Sequence, residues 1–204
     1  MPLVYQQNIN AVTKIGVWHI TEAELFFADI PLQKTITHPH KRLQHLAGRF
    51  LLKELYTDFP LELIKIADTR KPFLENEAYH FSISHCRDYA AVLISKEKRV
   101  GVDIELVNDK IERILHKFLT DEECFLMPRG AIQKTATLFW SVKESIYKWQ
   151  GTGGTDFRED IRIEKYTGNL EAGIVYCLFQ NEIPLRVHYL FFNGNFLTWV
   201  LSDH

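Results

Sequence analysis

Two short stretches of the chain carry carboxylates whose spacing could do chemistry. In Val100-Gly101-Val102-Asp103-Ile104-Glu105 two carboxylates stand two residues apart in an otherwise apolar run, so on a strand both project from one face. The ordinary fate of such a face is exposure to solvent. In Phe139-Trp140-Ser141-Val142-Lys143-Glu144-Ser145-Ile146-Tyr147-Lys148-Trp149, Glu144 and Lys148 are one helical turn apart and share a stripe with Trp140. On a surface helix that pair would be worth only about 0.2–0.5 kcal/mol, but the bulky aromatic neighbours predict a partly buried setting. Were Asp103, Glu105 and Glu144 to converge about 5 Å apart, each pair would repel by roughly 3 kcal/mol at an effective dielectric of about 20. Such a cluster needs a cation. Ligands that are all oxygen favour Mg²⁺ or Mn²⁺ over zinc, and Mg²⁺ commonly shares its shell with substrate phosphates. Lys148 would then be a point charge beside those phosphates.

A third stretch, Phe81-Ser82-Ile83-Ser84-His85, puts a hydroxyl and an imidazole where a strand runs into a turn. Neighbours on a strand point apart, which disfavours a Ser-His nucleophile and suits the binding of an anion better. Arg70 and Lys71-Pro72 add positive charge just upstream. Two other signals read as structure. His38-Pro39-His40 with His45 lacks metal-ligand spacing and suits a polar helix entry. Gly151-Thr152-Gly153-Gly154 has no Gly-Lys-Ser/Thr after it and reads as the cap of the Trp140 helix rather than a phosphate-binding loop.

The elements that would hold these residues follow from periodicity. Residues 14–20 alternate like a half-buried strand, 22–29 read as a short helix after Thr21, and Leu43, Leu46, Ala47, Phe50, Leu51 and Leu55 repeat at helical spacing over 40–56. Strands are expected at 63–67, 79–84, 89–95 and 100–107, with His85-Cys86-Arg87-Asp88 as the turn between the second and third. Thr120-Asp121-Glu122-Glu123 has capping-box spacing, and 135–150 is a longer helix closed by Gly151. Four strands near 161–166, 173–179, 185–192 and 196–202 complete the chain. The segment 83–95 lies over 190–202 without a gap, Ser95 meeting Ser202, as strand, polar turn and strand. The fold class expected is α+β. Any two hairpins share such a pattern, so the match is either coincidence or a duplication; a duplication makes the chain two similar halves, 1–106 and 107–204, packed without a Pro-, Gly- or Ser-rich linker.

Composition narrows the partners. The 204 residues hold 24 Lys plus Arg against 26 Asp plus Glu, a formal net charge of −2. No broad cationic surface is available for a nucleic-acid backbone or an anionic membrane, so any anion must meet a local site. Cys86, Cys124 and Cys177 are odd in number and in no CxxC pair, which suggests neither a disulfide framework nor a thiolate metal site and fits a reducing cytoplasm. The start MPLVYQQNINAVTK lacks a basic n-region and apolar core, and no stretch approaches about 18 uninterrupted apolar residues. A soluble cytoplasmic protein is expected.

Together, Lys71-Pro72, Ser84-His85, Gly101-Val102-Asp103-Ile104-Glu105 and Trp140-Ser141-Val142-Lys143-Glu144-Ser145-Ile146-Tyr147-Lys148 followed by Gly151 resemble the 4'-phosphopantetheinyl transferase superfamily, in the order and separations of its larger, surfactin-synthetase-activating type. The resemblance runs from about Arg49 to Gly153. It implies two α+β halves related by a pseudo-twofold, with coenzyme A between them, and Mg²⁺-dependent transfer of the 4'-phosphopantetheine arm to a serine of an acyl or peptidyl carrier protein, releasing adenosine 3',5'-bisphosphate. By the same resemblance Asp103, Glu105 and Glu144 match the metal ligands, Glu144 is the candidate general base, and Lys148 matches the lysine on the diphosphate. Arg49, Lys71, Pro72, Ser84 and His85 match coenzyme A contacts, His85 and Arg49 near the 3'-phosphate. Arg70 stands where a glycine often precedes Lys-Pro, and Cys86 where a small hydroxyl residue often follows the histidine. Lys34, Lys41 and Arg42 compete for the remaining basic contacts. A monomer is expected. Two other classes use the same residues: a Mg²⁺-dependent nucleotide phosphohydrolase, and a non-catalytic module binding coenzyme A or a carrier.

Overall fold

The computed structural model describes residues 2–202; Met1, Asp203 and His204, at the ends of the two expected halves, lie outside the described residues. The protein is a mixed α+β fold whose contacts divide it into two compact units, the division falling between Val100 and Gly101.

In the first unit β1 (Leu3–Asn10) and β2 (Thr13–His19) form a hairpin, α1 (Pro39–Leu55) follows, and β5 (His80–Cys86) and β6 (Tyr89–Ser95) form a second hairpin. The four make an antiparallel sheet in the order β1-β2-β6-β5, beside a small ladder of β3 (Lys65–Ile66) and β4 (Pro72–Phe73). α1 starts where Pro39 presets the first helical φ and the His38 ring accepts a hydrogen bond from the Lys41 amide. Its apolar stripe, Leu46, Ala47, Leu51, Leu52 and Leu55, is buried with Trp18, Phe59, Phe81 and Val92. The helix expected at 22–29 is a single 3-10 turn, Glu24–Phe27. β1 has no counterpart in the sequence reading. Its alternation is carried by Gln and Asn as much as by apolar residues, and it is fixed by pairing with β2, Tyr5 opposite Val17 and Gln7 opposite Ile15.

The second unit holds β7 (Arg99–Leu106), a 3-10 stretch Asp109–Lys117, α2 (Asp121–Phe125), α3 (Ile132–Gln150), β8 (Ile161–Gly168), β9 (Ala172–Phe179), β10 (Ile183–Phe192) and β11 (Asn195–Ser202). Its sheet runs β7-β11-β10-β9-β8. The expected boundary after residue 106 leaves β7 with the first half. Its ladder neighbour is β11, and the contact division falls after the strand's second residue, between Val100 and Gly101. α2 begins with the capping box foreseen at Thr120, and α3 ends on Gly151, left-handed at φ 74°, whose amide donates to the Tyr147 carbonyl.

Both segments of the internal echo are hairpins with two-residue turns: Cys86 pairs with Tyr89 across one and Phe192 with Asn195 across the other. Superposing the turns puts Ser95 over Leu201, one residue out of the ungapped match that set it over Ser202. Because strand side chains alternate, that slip exchanges the two faces.

One approach within the second unit governs the rest. A Cβ on Gly101 would lie 2.0 Å from the Ser145 carbonyl oxygen and 2.6 Å from the Trp149 nitrogen, so α3 rests its backbone on β7 where that strand has no side chain. Asp103 and Glu105 are on the same face of β7 and thus lie under α3. Gly101→Ala should destabilise the protein by about 3 kcal/mol or more, since neither backbone can yield. Urea denaturation measures this, and a loss below about 0.5 kcal/mol would refute the packing.

Candidate active site

Asp103 is 4% exposed. Its Oδ1 accepts from Lys148 Nζ at 2.6 Å and its Oδ2 from Ser141 Oγ at 2.8 Å, both donors on α3. Ser141 Oγ also meets Thr198 Oγ1 of β11 at 2.9 Å, while Ser145 Oγ donates to the Thr198 carbonyl at 3.1 Å. These small hydroxyl residues suit a helix lying close to a sheet: they occupy little space and satisfy one another. The face whose ordinary fate is exposure is buried at Gly101 and Asp103 and half-buried at Glu105, and the residue that announces it is Gly101.

Glu105 and Glu144 complete the acidic group. Loss of water pushes the Glu105 pKa up to about 7, helped by the charges of Asp103 and Glu144 and opposed by Lys148. Desolvation and Asp103 likewise raise Glu144, against Lys148. The three carboxylates therefore feel one another, yet among the described residues no three His, Cys, Asp or Glu side chains are arranged to hold a metal ion. The Lys148 ammonium lies directly on Asp103, and two glutamates with raised pKa values have no reason to draw nearer as anions. Oxygen donors alone, desolvated and mutually repelling, are chemistry suited to a hard divalent cation.

A second constellation lies in the first unit. β5 continues through Cys86, so the turn is Arg87-Asp88 alone and His85 is a strand residue. Ser84 is buried and His85 exposed, on opposite faces. The His85 ring stands 5.3 Å from that of His45 on α1. Burial lowers the His45 pKa to about 4, and His85, Arg49, Lys34 and Lys41 push in the same direction. Lys34 and Lys41 thus border this basic cluster. Arg42 has a carboxylate partner of its own: its Nε and Nη2 both donate to Glu24 Oε2, at 3.0 and 2.6 Å.

Arg49 is 5% exposed, with Nε and Nη2 donating to Gln33 Oε1 at 2.9 and 2.8 Å and Nη1 to the His45 carbonyl at 3.2 Å. It braces the loop before α1 as well as charging the cluster. Beside it Leu32, Gln33, Lys34, Thr35, Ile36 and Arg42 line a cleft of about 420 Å³. Arg70, where a glycine was the commoner pattern, has φ 68°, the left-handed region that favours glycine. Lys71 follows, its pKa lowered to about 8 by burial and by Arg99, and Pro72 pairs with Ile66 at the β3–β4 ladder.

The family model of the 4'-phosphopantetheinyl transferase superfamily matches residues 99–195, the stretch that carries Asp103, Glu105, Glu144 and Lys148. Over those residues, just under half of its length, the chain is similar to the 4'-phosphopantetheinyl transferase superfamily. It is similar to the L-aminoadipate-semialdehyde dehydrogenase-phosphopantetheinyl transferase of Xenopus laevis, 27% identical over 154 residues, which are 64% of this chain and 51% of the relative. It is also similar to enterobactin synthase component D of Salmonella typhi, 29% identical over 113 residues, 53% of this chain and 47% of the relative. A third relative is the 4'-phosphopantetheinyl transferase AcpT of Salmonella typhi, 28% identical over 116 residues, 54% of this chain and 60% of the relative. The matches therefore span from about half to three fifths of these relatives' own length.

Within the stretch matched to the superfamily, one pair went unmarked in the sequence. Lys143, next to Glu144, is fully buried. Its Nζ lies 2.9 and 2.8 Å from the two oxygens of Glu123 and donates to the carbonyls of Phe157 and Ile161 at 2.8 and 2.7 Å. Glu123 also accepts from the Thr120 and Ile163 amides. The pair ties α3 to α2 and β8 and so fixes how α3 is turned on the sheet. Only the capping-box spacing at Thr120 hinted at Glu123. Lys143→Met should cost about 3–5 kcal/mol, because it leaves Glu123 buried without its cation, and adding Glu123→Gln should recover part of that loss. Denaturation of the single and double variants checks this; strictly additive losses would contradict the pairing.

Proposed function

We propose that this protein transfers the 4'-phosphopantetheine arm of coenzyme A to a serine of an acyl or peptidyl carrier protein, releasing adenosine 3',5'-bisphosphate, as a cytoplasmic monomer of the larger, surfactin-synthetase-activating type. The observation that carries the reading is the β7–α3 acidic group, with Lys148 against it, inside the stretch matched to the superfamily. The relatives' names, two of which are phosphopantetheinyl transferases, support the same reaction. Among the described residues no helix is long and apolar enough to cross a membrane.

In this reading Asp103, Glu105 and Glu144 hold Mg²⁺, with Mn²⁺ as a substitute. A divalent ion there supplies positive charge to the diphosphate and stabilises the charge that builds up on it. Lys148 is held on Asp103 by a short ion pair, which keeps its ammonium pre-oriented to offset charge on the leaving bisphosphate. The carrier serine oxygen attacks the phosphorus bearing pantetheine, the bond from that phosphorus to the bridging oxygen breaks, and the bisphosphate leaves. Glu144 accepts the serine proton, directly or through a water. That role is secondary to its role as ligand, because a metal-bound carboxylate is a weak base. In the first unit His85, Lys71, Pro72 and Ser84 contact coenzyme A. The His45–His85 cluster with Lys34 and Lys41 supplies the local positive charge that a protein of net charge −2 needs to hold an extra phosphate. Arg49 contributes charge there from its buried position.

Intact-mass analysis of apo carrier proteins incubated with coenzyme A, Mg²⁺ and this protein tests the reading: the carrier should gain one phosphopantetheine. Release of phosphate from coenzyme A without a carrier would favour the phosphohydrolase instead, and tight binding with no transfer the non-catalytic module. Replacing Asp103, Glu105 or Glu144 by Ala should each cut transfer by roughly a hundredfold or more, the effect of losing several kcal/mol of transition-state stabilisation. Near wild-type turnover in all three variants, or full activity in EDTA, would sink the assignment.

A further inference from the structure

We propose that Gln44 is a positioning residue for the nucleotide site: from α1 it clamps the β5–β6 turn and so determines where His85 stands. Gln44 is 7% exposed, and its Nε2 donates to the Arg87 carbonyl at 2.7 Å. The His40 Nε2 lies 3.1 Å from the same oxygen, and the other side of the His40 ring is 4.0 Å from Asp88. The second turn carbonyl, on Asp88, accepts from the Ile20 amide at 2.6 Å. Both carbonyls of this two-residue turn are therefore held from outside the hairpin.

The turn needs holding. Arg87 has φ 49°, a conformation that L residues other than Asn and Asp seldom adopt and that persists when surrounding contacts enforce it. A Gly or Asn would fold such a turn unaided; Arg87 does so with its carbonyl fixed by α1. The same helix touches β5 at two further points. A Cβ on Gly48 would come within 2.7 Å of the Ile83 side chain, and the His45 ring lies against that of His85. Running along α1, Gly48 meets Ile83, His45 meets His85 and Gln44 meets Arg87, so helix and hairpin end are registered residue by residue. His85 is two residues before the clamped carbonyl on a strand that ends one residue later. Releasing Arg87 frees that end while leaving the Gly48 contact intact.

The inference rests on the reading that His85 meets the 3'-phosphate of coenzyme A, and the test separates the two. Gln44→Met keeps the volume and removes the donor. Transfer kinetics are measured with coenzyme A and with dephospho-coenzyme A, and amide hydrogen exchange is measured on the protein alone. Gln44→Met should raise KM for coenzyme A roughly tenfold, the effect of losing about one well-made hydrogen bond. It should leave kcat within about twofold and change KM for dephospho-coenzyme A little, while exchange quickens over residues 85–90 and α1 stays protected. A purely structural role would lower kcat with both substrates alike, leave both KM values unchanged and lower thermal stability, and that outcome overturns the proposal. So does an unchanged preference for coenzyme A. If wild type itself fails to distinguish the two substrates, the reading of His85 is what fails; the clamp is then judged by exchange alone, and unchanged exchange over 85–90 overturns it. His40→Ala, which removes the weaker contact, should give a smaller shift in the same direction, and a larger one than Gln44→Met would overturn the ranking.

Discussion

The close seating of α3 on β7 is the constraint on which the second unit depends. Gly101 removes the one side chain that would hold the helix off the sheet, and Ser141, Ser145 and Thr198 line the contact with small hydroxyls that bond to one another. Because the backbones meet there, Asp103 cannot reach water and must be satisfied from α3, which offers Ser141 and Lys148 one above the other. The buried Lys143–Glu123 pair then fixes the rotation of α3, so that Glu144 and Lys148 come to the β7 side rather than to solvent. Packing thus precedes chemistry: the site is a consequence of how one helix is allowed to lie.

That seating also sets the electrostatics. Three carboxylates and one ammonium share a poorly hydrated region, where charges interact more strongly than in water. The raised pKa values of Glu105 and Glu144 measure how unfavourable the negative charge is there. A compensating cation relieves that repulsion and strengthens the hold on phosphate oxygens at once, which is why such a group suits phosphoryl chemistry. The first unit solves the opposite problem. Its cations lie around a histidine too poorly solvated to be charged at neutral pH, so positive charge comes from Lys34, Lys41 and Arg49 around the His45 ring.

How much of this was legible varies with the kind of signal. Helix α3 and its Gly151 cap declared themselves by periodicity and by a glycine where the left-handed conformation was needed, as did the capping box of α2. The burial of Asp103 did not, because two carboxylates at strand spacing say which face they share and nothing about what covers it. Gly101 was the available clue, and its meaning depends on α3, distant in the sequence. Neither the Glu24 partner of Arg42 nor the Gln33 partner of Arg49 could be foreseen, since ion pairs and hydrogen bonds between distant residues leave no local pattern. The hairpin end was placed two residues early because Arg87-Asp88 lacks the Asn-Gly signature that marks Asn193-Gly194 in β10–β11. β1 was missed because its polar sequence becomes a strand only by pairing with β2.

The central proposal is that the seating of α3 on β7 lets Asp103, Glu105 and Glu144 hold a single cation. Titration of the protein with Mn²⁺ in the presence of coenzyme A, followed by the loss of the free-ion electron paramagnetic resonance signal, measures that site directly. The account predicts one saturable ion per chain, displaced by Mg²⁺ and weakened at least tenfold by Glu144→Gln or Asp103→Asn. Binding that is undiminished in both variants, or no saturable binding by the wild-type protein, would contradict it.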